Sequence, residues 1–237
     1  MEHIDKIHGT YERKIAEARP SVSPAVIKRL PRYHRYLGDL LREERYRISS
    51  AELSKMMNVT ASQIRQDLNC FGGFGQQGYG YNVKYLHGKI SDLLGVNNGY
   101  NAVIVGAGNL GRALAATHMF ERRGVNRLAL FDSNPNIIGT EIYGIPVYSV
   151  DTLASFCREH SVNIGVLTVP KEAAYEVAVV MADSGVSGIW NFANMELKLP
   201  YHEEVIVENI HLGDSLMTLC YEIKSKNEER EKSTQDE

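Results

Sequence analysis

The chain has 237 residues, of which 43% are hydrophobic and 23% charged, and its formal net charge is −3. This composition is ordinary for a soluble globular protein, and the length allows two small domains or one large one. No apolar run approaches the ~20 residues that span a bilayer, and no signal-peptide pattern opens the chain, so we expect a cytoplasmic protein. Three distant cysteines without a CxxC pair predict neither a disulfide framework nor a metal site.

Charge is distributed unevenly along the chain. Residues 1–95 carry 15 Lys and Arg against 10 Asp and Glu, a balance of +5, while residues 96–237 carry 11 against 19, a balance of −8. A basic front half joined to an acidic back half suggests a polyanionic partner for the front half only.

The front half begins with a polar arm, residues 1–22, and continues with helical signals. Ser23-Pro24 is a good helix start, and the following apolar stripe, interrupted by Pro31, has arginines such as Arg29 on its polar faces. Two short helices follow, each preceded by a capping pattern that begins at Ser49 and at Thr60. Two capped helices joined by a tight turn, after a longer helix, predict a helix-turn-helix whose second helix enters a DNA major groove.

A mixture of aromatic residues and glycines over 71–83 then predicts a β-hairpin wing, where glycine lets the backbone approach a sugar–phosphate surface. A further helix over 85–94 would close a winged-helix domain at 23–95. The alternative is a three-helix cap that only packs on the next domain, with Arg65 paired to Asp67 or Glu52 at the surface. The residues predicted to contact DNA are Arg29, Ser49, Thr60, Ala61, Ser62, Gln63, Arg65, Gln66, Gly78 and Tyr81.

The back half opens with a buried strand that ends in a glycine turn and runs into a helix. Gly106 permits the tight turn, Gly108 lets the backbone approach a pyrophosphate, and Gly111 allows the helix to pack closely on the strand. A second strand ends at Asp132, about 20 residues further on, where a carboxylate accepts hydrogen bonds from an adenosine ribose. No Arg follows Asp132 to meet a 2′-phosphate, which favours NAD(H) over NADP(H).

Strands and helices continue to alternate, which predicts a Rossmann-type parallel sheet over 96–211. Two further strand ends, at 168–170 and 191–192, belong to the same carboxyl edge as the glycine turn. The residues predicted to bind the nucleotide are Gly106, Ala107, Gly108, Asn109, Leu110, Gly111, Asp132, Thr168, Val169, Pro170, Asn191 and Phe192.

The C-terminal region, 212–224, predicts an amphipathic helix that docks on its own domain or on a partner subunit, followed by a disordered tail at 225–237. The histidines show no arrangement beside Asp or Arg that suggests a proton donor, so we expect a nucleotide sensor and not an enzyme. The alternative is an NAD-dependent oxidoreductase with a helical N-terminal dimerisation cap. A second alternative, a CoA-binding domain of the acyl-CoA synthetase type, is weaker because a carboxylate at Asp132 is typical of a site that binds the ribose of a dinucleotide.

Three blocks of this chain resemble the Rex family of redox-sensing transcriptional repressors: 59–68 with 71–72 and 78–81, 105–111 with 131–132, and 190–193. The resemblance covers about residues 23–222. It implies a homodimer whose winged helices bind a palindromic operator and whose Rossmann domains sense the balance of NADH and NAD⁺, with NADH releasing the DNA. It also implies that the C-terminal helix is swapped onto the partner. Gln77 and Thr117 depart from the family, where many members carry Arg and Tyr.

Overall fold

The computed structural model describes residues 22–71, 75–76 and 80–235. The chain forms two compact units, Met1–Asn97 and Asn98–Glu237. All of the predicted N-terminal arm except Val22 lies outside the described residues, and so do Gln77 and Gly78 of the wing.

The N-terminal unit consists of α1 Pro24–Arg42, β1 Arg47–Ile48, α2 Ser50–Met57, α3 Ala61–Asn69, β2 Gly75–Gln76, β3 Gly80–Asn82 and α4 Val83–Leu93. Its three short strands form an antiparallel sheet in the order β1-β3-β2. Helix α1 continues through the exposed Pro31, which the sequence treats as an interruption, and it buries one face that includes Leu30, Tyr33 and Leu37. The predicted helix-turn-helix is present as α2 and α3, with the left-handed residue Asn58 (φ 51°) in the turn.

The C-terminal unit is built on seven strands, β4 Tyr100–Val105, β5 Val125–Asp132, β6 Glu141–Ile142, β7 Ile145–Ser149, β8 Ile164–Leu167, β9 Gly188–Asn191 and β10 Ile206–Asn209. They form one sheet in the order β10-β9-β8-β4-β5-β7-β6, in which β6 pairs antiparallel and the other strands pair parallel. Its helices are α5 Asn109–Ala115, α6 Leu153–Glu159, α7 Lys171–Asp183 and α8 Leu212–Gln235, and short 3₁₀ turns cover Glu121–Arg123 and Val150–Thr152.

The direction of the sheet reverses beside its central strand. From β4 the chain moves outward through β5 and β7, then returns to the other side of β4 as β8. Alternate residues of the strands face two apolar cores, so that Val103 packs with α6 and α7 while Ile104 packs with α5. The carboxyl ends of β4 and β8 therefore meet at a topological switch point, where doubly wound sheets bind ligands.

Helix α8 is longer than the sequence predicts. We expect a helix that ends at residue 224 and a disordered tail at 225–237, whereas the structure continues the helix through Gln235. The extension is rich in Lys, Glu and Arg, which have high helix propensity, and Lys224 pairs with Glu228 one turn later at 3.7 Å. A segment with few apolar residues can thus extend a helix that begins as an amphipathic one.

Candidate nucleotide site and candidate DNA-binding surface

The glycine turn after β4 has the geometry that the sequence predicts for it. Gly106 adopts φ +101°, and a Cβ there would lie 2.7 Å from the carbonyl oxygen of Thr168. A Cβ at Gly111 would overlap the carbonyl oxygen of Gly106. A Cβ at Gly108 would enter open space, although its backbone (φ −72°, ψ −168°) is accessible to any residue. The fold therefore requires glycine at 106 and 111, while the glycine at 108 leaves room beside the turn.

Asp132 holds this turn from the end of β5. One of its carboxylate oxygens accepts a hydrogen bond from the Ala107 amide at 2.7 Å, and the other accepts one from the Asn134 amide at 2.8 Å. A carboxylate has about four lone-pair positions, so Asp132 keeps acceptor capacity for a ribose hydroxyl. The half-buried side chain thus supports the turn and remains available to a ligand.

Two more side chains secure the switch point. The Thr168 hydroxyl donates to the carbonyl oxygens of Gly106 at 2.8 Å and Val105 at 3.0 Å, which joins the end of β8 to the turn. Arg112, which is absent from the predicted site, donates from Nε to the Ala107 carbonyl at 2.8 Å. In the sequence, only its position one residue after the last glycine of the turn indicates this role. Thr168 and Arg112 shape the turn from its two sides.

The structure corrects the prediction for Asn191. Its side chain is fully buried, donates to Met195 O at 3.0 Å and to Asn209 Oδ1 at 2.8 Å, and accepts from the Ala193 amide at 2.9 Å. With its amide engaged inside the protein, Asn191 does not offer it to a nucleotide. Phe192, the next residue, is half-buried and meets Trp190 edge to face at 4.6 Å between ring centroids.

In the N-terminal unit, two of the residues predicted to contact DNA also hydrogen-bond the buried carboxylate of Asp67. Arg29 donates to both carboxylate oxygens, at 2.6 and 2.7 Å, and Gln63 Nε2 donates at 2.8 Å. The Tyr33 hydroxyl adds a third donor at 2.9 Å. These bonds tie α1 to α3, because a buried carboxylate needs partners. Arg29 and Gln63 are only half-buried, so their contact with DNA stays a prediction.

The charges of this network are well matched. Burial acts to raise the pKa of the Asp67 carboxyl, but the hydrogen bonds from Arg29, Gln63 and Tyr33 outweigh burial and hold that pKa below its usual value. Burial, together with the bond to Asp67, raises the pKa of Tyr33. Asp67 therefore stays ionised and Tyr33 stays neutral under ordinary conditions.

Ser49 and Thr60 act as the helix caps that their spacing predicts. The Ser49 hydroxyl accepts from the Glu52 amide at 3.1 Å while Glu52 accepts from the Ser49 amide at 2.9 Å, a complete capping box. The Thr60 hydroxyl accepts from the Gln63 amide at 3.1 Å. These bonds fix where α2 and α3 begin, and hence which side chains stand at the start of α3.

Other predicted contacts divide between surface and core. Ser62, Arg65 and Gln66 are exposed on α3, and Ala61 is half-buried at its start. Arg65 donates to Ser50 Oγ at 3.2 Å, while its suggested partners Asp67 and Glu52 pair with Arg29 and Arg45 instead. Tyr81 is only 7% exposed and packs in the core, which corrects its prediction as a DNA contact.

Within the described ranges, no helix has the length and apolar character needed to cross a membrane. Among the same residues, no group of three or more His, Cys, Asp and Glu side chains is arranged to hold a metal ion.

Comparison with known proteins connects both units to one family. Residues 21–69 match the family described as putative DNA-binding protein N-terminus, and residues 97–195 match the CoA binding domain family. A redox-sensing transcriptional repressor Rex of Clostridium botulinum is 52% identical over 203 residues, which cover 86% of this chain and 96% of that protein. The Rex of Clostridium tetani is 49% identical over 90% of this chain and 100% of its own length. The chain belongs to the Rex family of redox-sensing transcriptional repressors.

Solved Rex-family structures agree with this assignment. RSP in complex with β-NAD⁺ and operator DNA is 48% identical, with a TM-score of 0.82, and covers 90% of this chain and 97% of that chain. RSP in complex with β-NADH is 45% identical, with a TM-score of 0.81, over 90% of this chain and 99% of that chain. The predicted fold class, a winged helix-turn-helix before a Rossmann-type parallel sheet, is confirmed, and so is the choice of a repressor over an oxidoreductase.

Proposed function

We propose that this protein represses transcription by binding operator DNA while NADH is scarce, and that NADH binding releases it. The observation that carries the proposal is the open space beside Gly108, at the switch point of the sheet and next to the Asp132 carboxylate. The RSP complexes with β-NAD⁺ plus operator DNA and with β-NADH support the choice of ligands.

The nucleotide lies with its pyrophosphate over the turn and its adenosine ribose at Asp132. The turn contributes Gly106 to Gly111, including Ala107, Asn109 and Leu110, and its open side accepts phosphate close to the backbone. Thr168, Val169 and Pro170, at the end of β8, form the other wall. The nicotinamide then extends toward the end of β9, where Phe192 stands.

Phe192 gives the site its preference for the reduced ligand. The nicotinamide ring is cationic in NAD⁺ and neutral in NADH, and an apolar, half-buried environment penalises the charged ring because it removes water from it. NADH can shift a two-state protein only by its differential affinity for the two states. NADH stabilises a closed state in which Phe192 packs against the neutral ring, and this closed state does not bind operator DNA.

DNA is contacted by the exposed side of α3 and by the wing. Ser62, Arg65 and Gln66 project from α3, and Ser49 and Thr60 stand at the starts of α2 and α3, where free amides suit phosphates. Gly78 belongs to the proposed wing. Because Arg65 has no carboxylate partner among the described residues, its guanidinium is available to a phosphate or a guanine.

The protein acts as a homodimer on a palindromic operator, and the C-terminal helix is swapped between subunits. Helix α8 exposes a set of apolar side chains, with Leu216 61% and Met217 66% accessible. The same unit has an apolar groove of about 570 Å³ beside β8, β9 and β10, lined in part by Phe120, Trp190 and Ile206. An exposed apolar helix and an open apolar groove on one chain complement each other between two copies. The protein works in the cytoplasm, where its operator is.

The test is retardation of operator DNA with NADH and NAD⁺ varied separately at fixed salt, because phosphate contacts make DNA binding strongly salt-dependent. We expect NADH to release the DNA at concentrations where NAD⁺ does not. Retention of the operator at saturating NADH contradicts the proposal, as does release by both nucleotides at equal concentrations. The Phe192→Ala variant should still bind both nucleotides and lose much of the difference between them.

A further inference from the structure

Two asparagines close the neighbouring strands β9 and β10 at the edge where the proposed nicotinamide site lies. Asn191 and Asn209 are the last paired residues of these parallel strands. Asn191 Nδ2 donates to Asn209 Oδ1 at 2.8 Å. Asn191 is fully buried and Asn209 is half-buried, so water has little access to this bond.

Both side chains also bind the loop that follows β9. Asn191 accepts from the Ala193 amide at 2.9 Å and donates to Met195 O at 3.0 Å. Asn209 accepts from the Leu197 amide at 3.1 Å and donates to Leu197 O at 3.2 Å. The two amides thus form a small network that holds residues 193–197 in one conformation.

This network begins next to Phe192 and ends next to α8. Phe192 follows Asn191 directly, and its own amide donates to Leu167 O at 2.8 Å. On the other side, the Ile210 amide donates to Asn191 O at 2.8 Å, two residues before α8 begins. His211 also lies within 3.0 Å of Glu196 in the same loop. Phe192 and the two residues that lead into α8 are therefore attached to one common, hydrogen-bonded segment.

Energetic reasons favour a positioning role over simple strand cohesion. Backbone pairing between β9 and β10 is already complete through Asn209, so the side chains add nothing that the ladder needs. A buried amide left without its partner loses free energy because it is no longer solvated by water or bonded to protein, so a fully satisfied pair resists rearrangement. Apolar side chains could fill this space, but they would not define one conformation of the loop.

We propose that the Asn191–Asn209 pair is a positioning device that sets Phe192 against the nicotinamide ring and passes its position to α8. The inference rests on the proposed function and deepens it, since it names how the choice between NADH and NAD⁺ reaches the subunit interface. In this view, neither asparagine touches the nucleotide. Each acts through the segment to which it is bonded.

The first experiment compares Asn209→Ala with Asn163→Ala in the full-length protein. Asn163 is a matched control, because its half-buried side chain also accepts a backbone amide, that of Asn101 at 2.9 Å, at the opposite end of the sheet. Both variants should melt at a lower temperature. We expect only Asn209→Ala to reduce the ratio of the NAD⁺ and NADH dissociation constants, by about fivefold or more.

An unchanged ratio in Asn209→Ala, or an equal change in Asn163→Ala, overturns the positioning role. A second variant, Asn209→Asp, keeps the acceptor for Asn191 and for the Leu197 amide and places a carboxylate oxygen where the donor to Leu197 O stood. Two facing acceptors repel each other, so its melting temperature should also fall, while a cooperative thermal transition shows that the variant is folded, and its ratio should be reduced. A wild-type ratio in Asn209→Asp also overturns the proposal.

The link to α8 has its own measurement, which is amide hydrogen exchange of residues 212–217 with and without NADH. We expect NADH to change exchange there in the wild type and in Asn163→Ala, and to leave it unchanged in Asn209→Ala. Equal responses in all three proteins refute transmission to α8. If NADH fails to release operator DNA from the wild-type protein, the proposed function is at fault, and the ratio experiment still tests the pair.

Discussion

The glycine turn of the C-terminal unit and helix α3 of the N-terminal unit are both predicted binding elements, but they are built in different ways. The turn presents backbone, and its shape depends on glycines that the chain itself needs at 106 and 111. Helix α3 presents side chains, and these divide between two tasks. Gln63 and Asp67 complete an internal network with Arg29, whereas Arg65 faces outward.

This difference shows which kind of site a local sequence pattern can define. A backbone site follows from a few residues close together in the chain, because conformation and clearance are local properties. A side-chain site on a helix depends on what the rest of the fold supplies. Arg29 and Asp67 are 38 residues apart, and no pattern along α3 shows that Asp67 needs an arginine from α1.

The largest expected effect separates the glycines of the turn. Gly111→Ala puts a Cβ onto the Gly106 carbonyl oxygen, so we expect the free energy of unfolding to fall by about 4 kcal/mol or more. Nucleotide binding should be lost as well, because the turn can no longer form. Gly108→Ala is the matched control, which should fold normally and bind NADH roughly 10-fold less tightly. Thermal melting and NADH titration measure both. Normal NADH affinity in Gly108→Ala would show that the turn does not receive the pyrophosphate.

The Asp67 network tests the other side of the comparison. Asp67→Ala leaves a partly buried Arg29 and a buried Tyr33 hydroxyl without their acceptor, so we expect about 3 kcal/mol of destabilisation in urea unfolding. Asp39→Ala removes a surface partner of Arg42 and should cost less than about 1 kcal/mol. Similar stabilities for the two variants would mean that Arg29 is not held by Asp67 in solution.

Arg65 represents the outward face of α3. Arg65→Ala should weaken operator binding by about 1–2 kcal/mol, roughly 10-fold, without a change in melting temperature or NADH affinity. Arg122→Ala removes the same charge from an exposed position in the other unit and should leave operator affinity near wild type. Gel retardation at fixed salt measures the operator affinity of both variants. An equal loss of affinity in the two variants would mean that Arg65 acts only through its positive charge and not through a specific contact.

The smallest effect concerns acid stability of the N-terminal unit. Burial lowers the pKa of His87, whose ring stacks on His34 at 4.2 Å, below its ordinary value of 6.5. His87 therefore binds a proton more readily in the unfolded chain than in the folded protein. Its contribution to the free energy of unfolding is fully present above pH 6.5 and is lost as the pH falls below that value. Between pH 7.5 and pH 5, the melting temperature should fall more steeply for the wild type than for His87→Gln. The exposed His118→Gln should follow the wild type.

Several features could be predicted because their causes are local. The caps at Ser49 and Thr60, the turn at Gly106 and the acid at the end of β5 all follow from residues near one another in the chain. Other features depend on distant partners. Tyr81 is buried because β3 packs on the helical core, and Asn191 is occupied because Asn209 stands beside it on the next strand.

One feature of the sequence indicates the Asn191–Asn209 pair, which is that β9 and β10 both end in asparagine. The two asparagines can be related to each other only once β9 and β10 are known to pair, since parallel neighbouring strands bring their last residues together. The extent of α8 had a different obstacle. A charged sequence with few apolar residues satisfies the composition of a disordered tail and of a solvated helix equally well.

The open space at Gly108 also has a consequence for how this sequence would change under selection. A Cβ there meets no atom of the protein, and replacing glycine in such a conformation commonly stabilises a fold by about 0.4–1 kcal/mol through the unfolded chain. A library of variants selected only for heat resistance should therefore lose Gly108 early and retain Gly106 and Gly111. Adding a requirement for nucleotide response should restore glycine at 108, so the ligand, and not the fold, is what keeps it there.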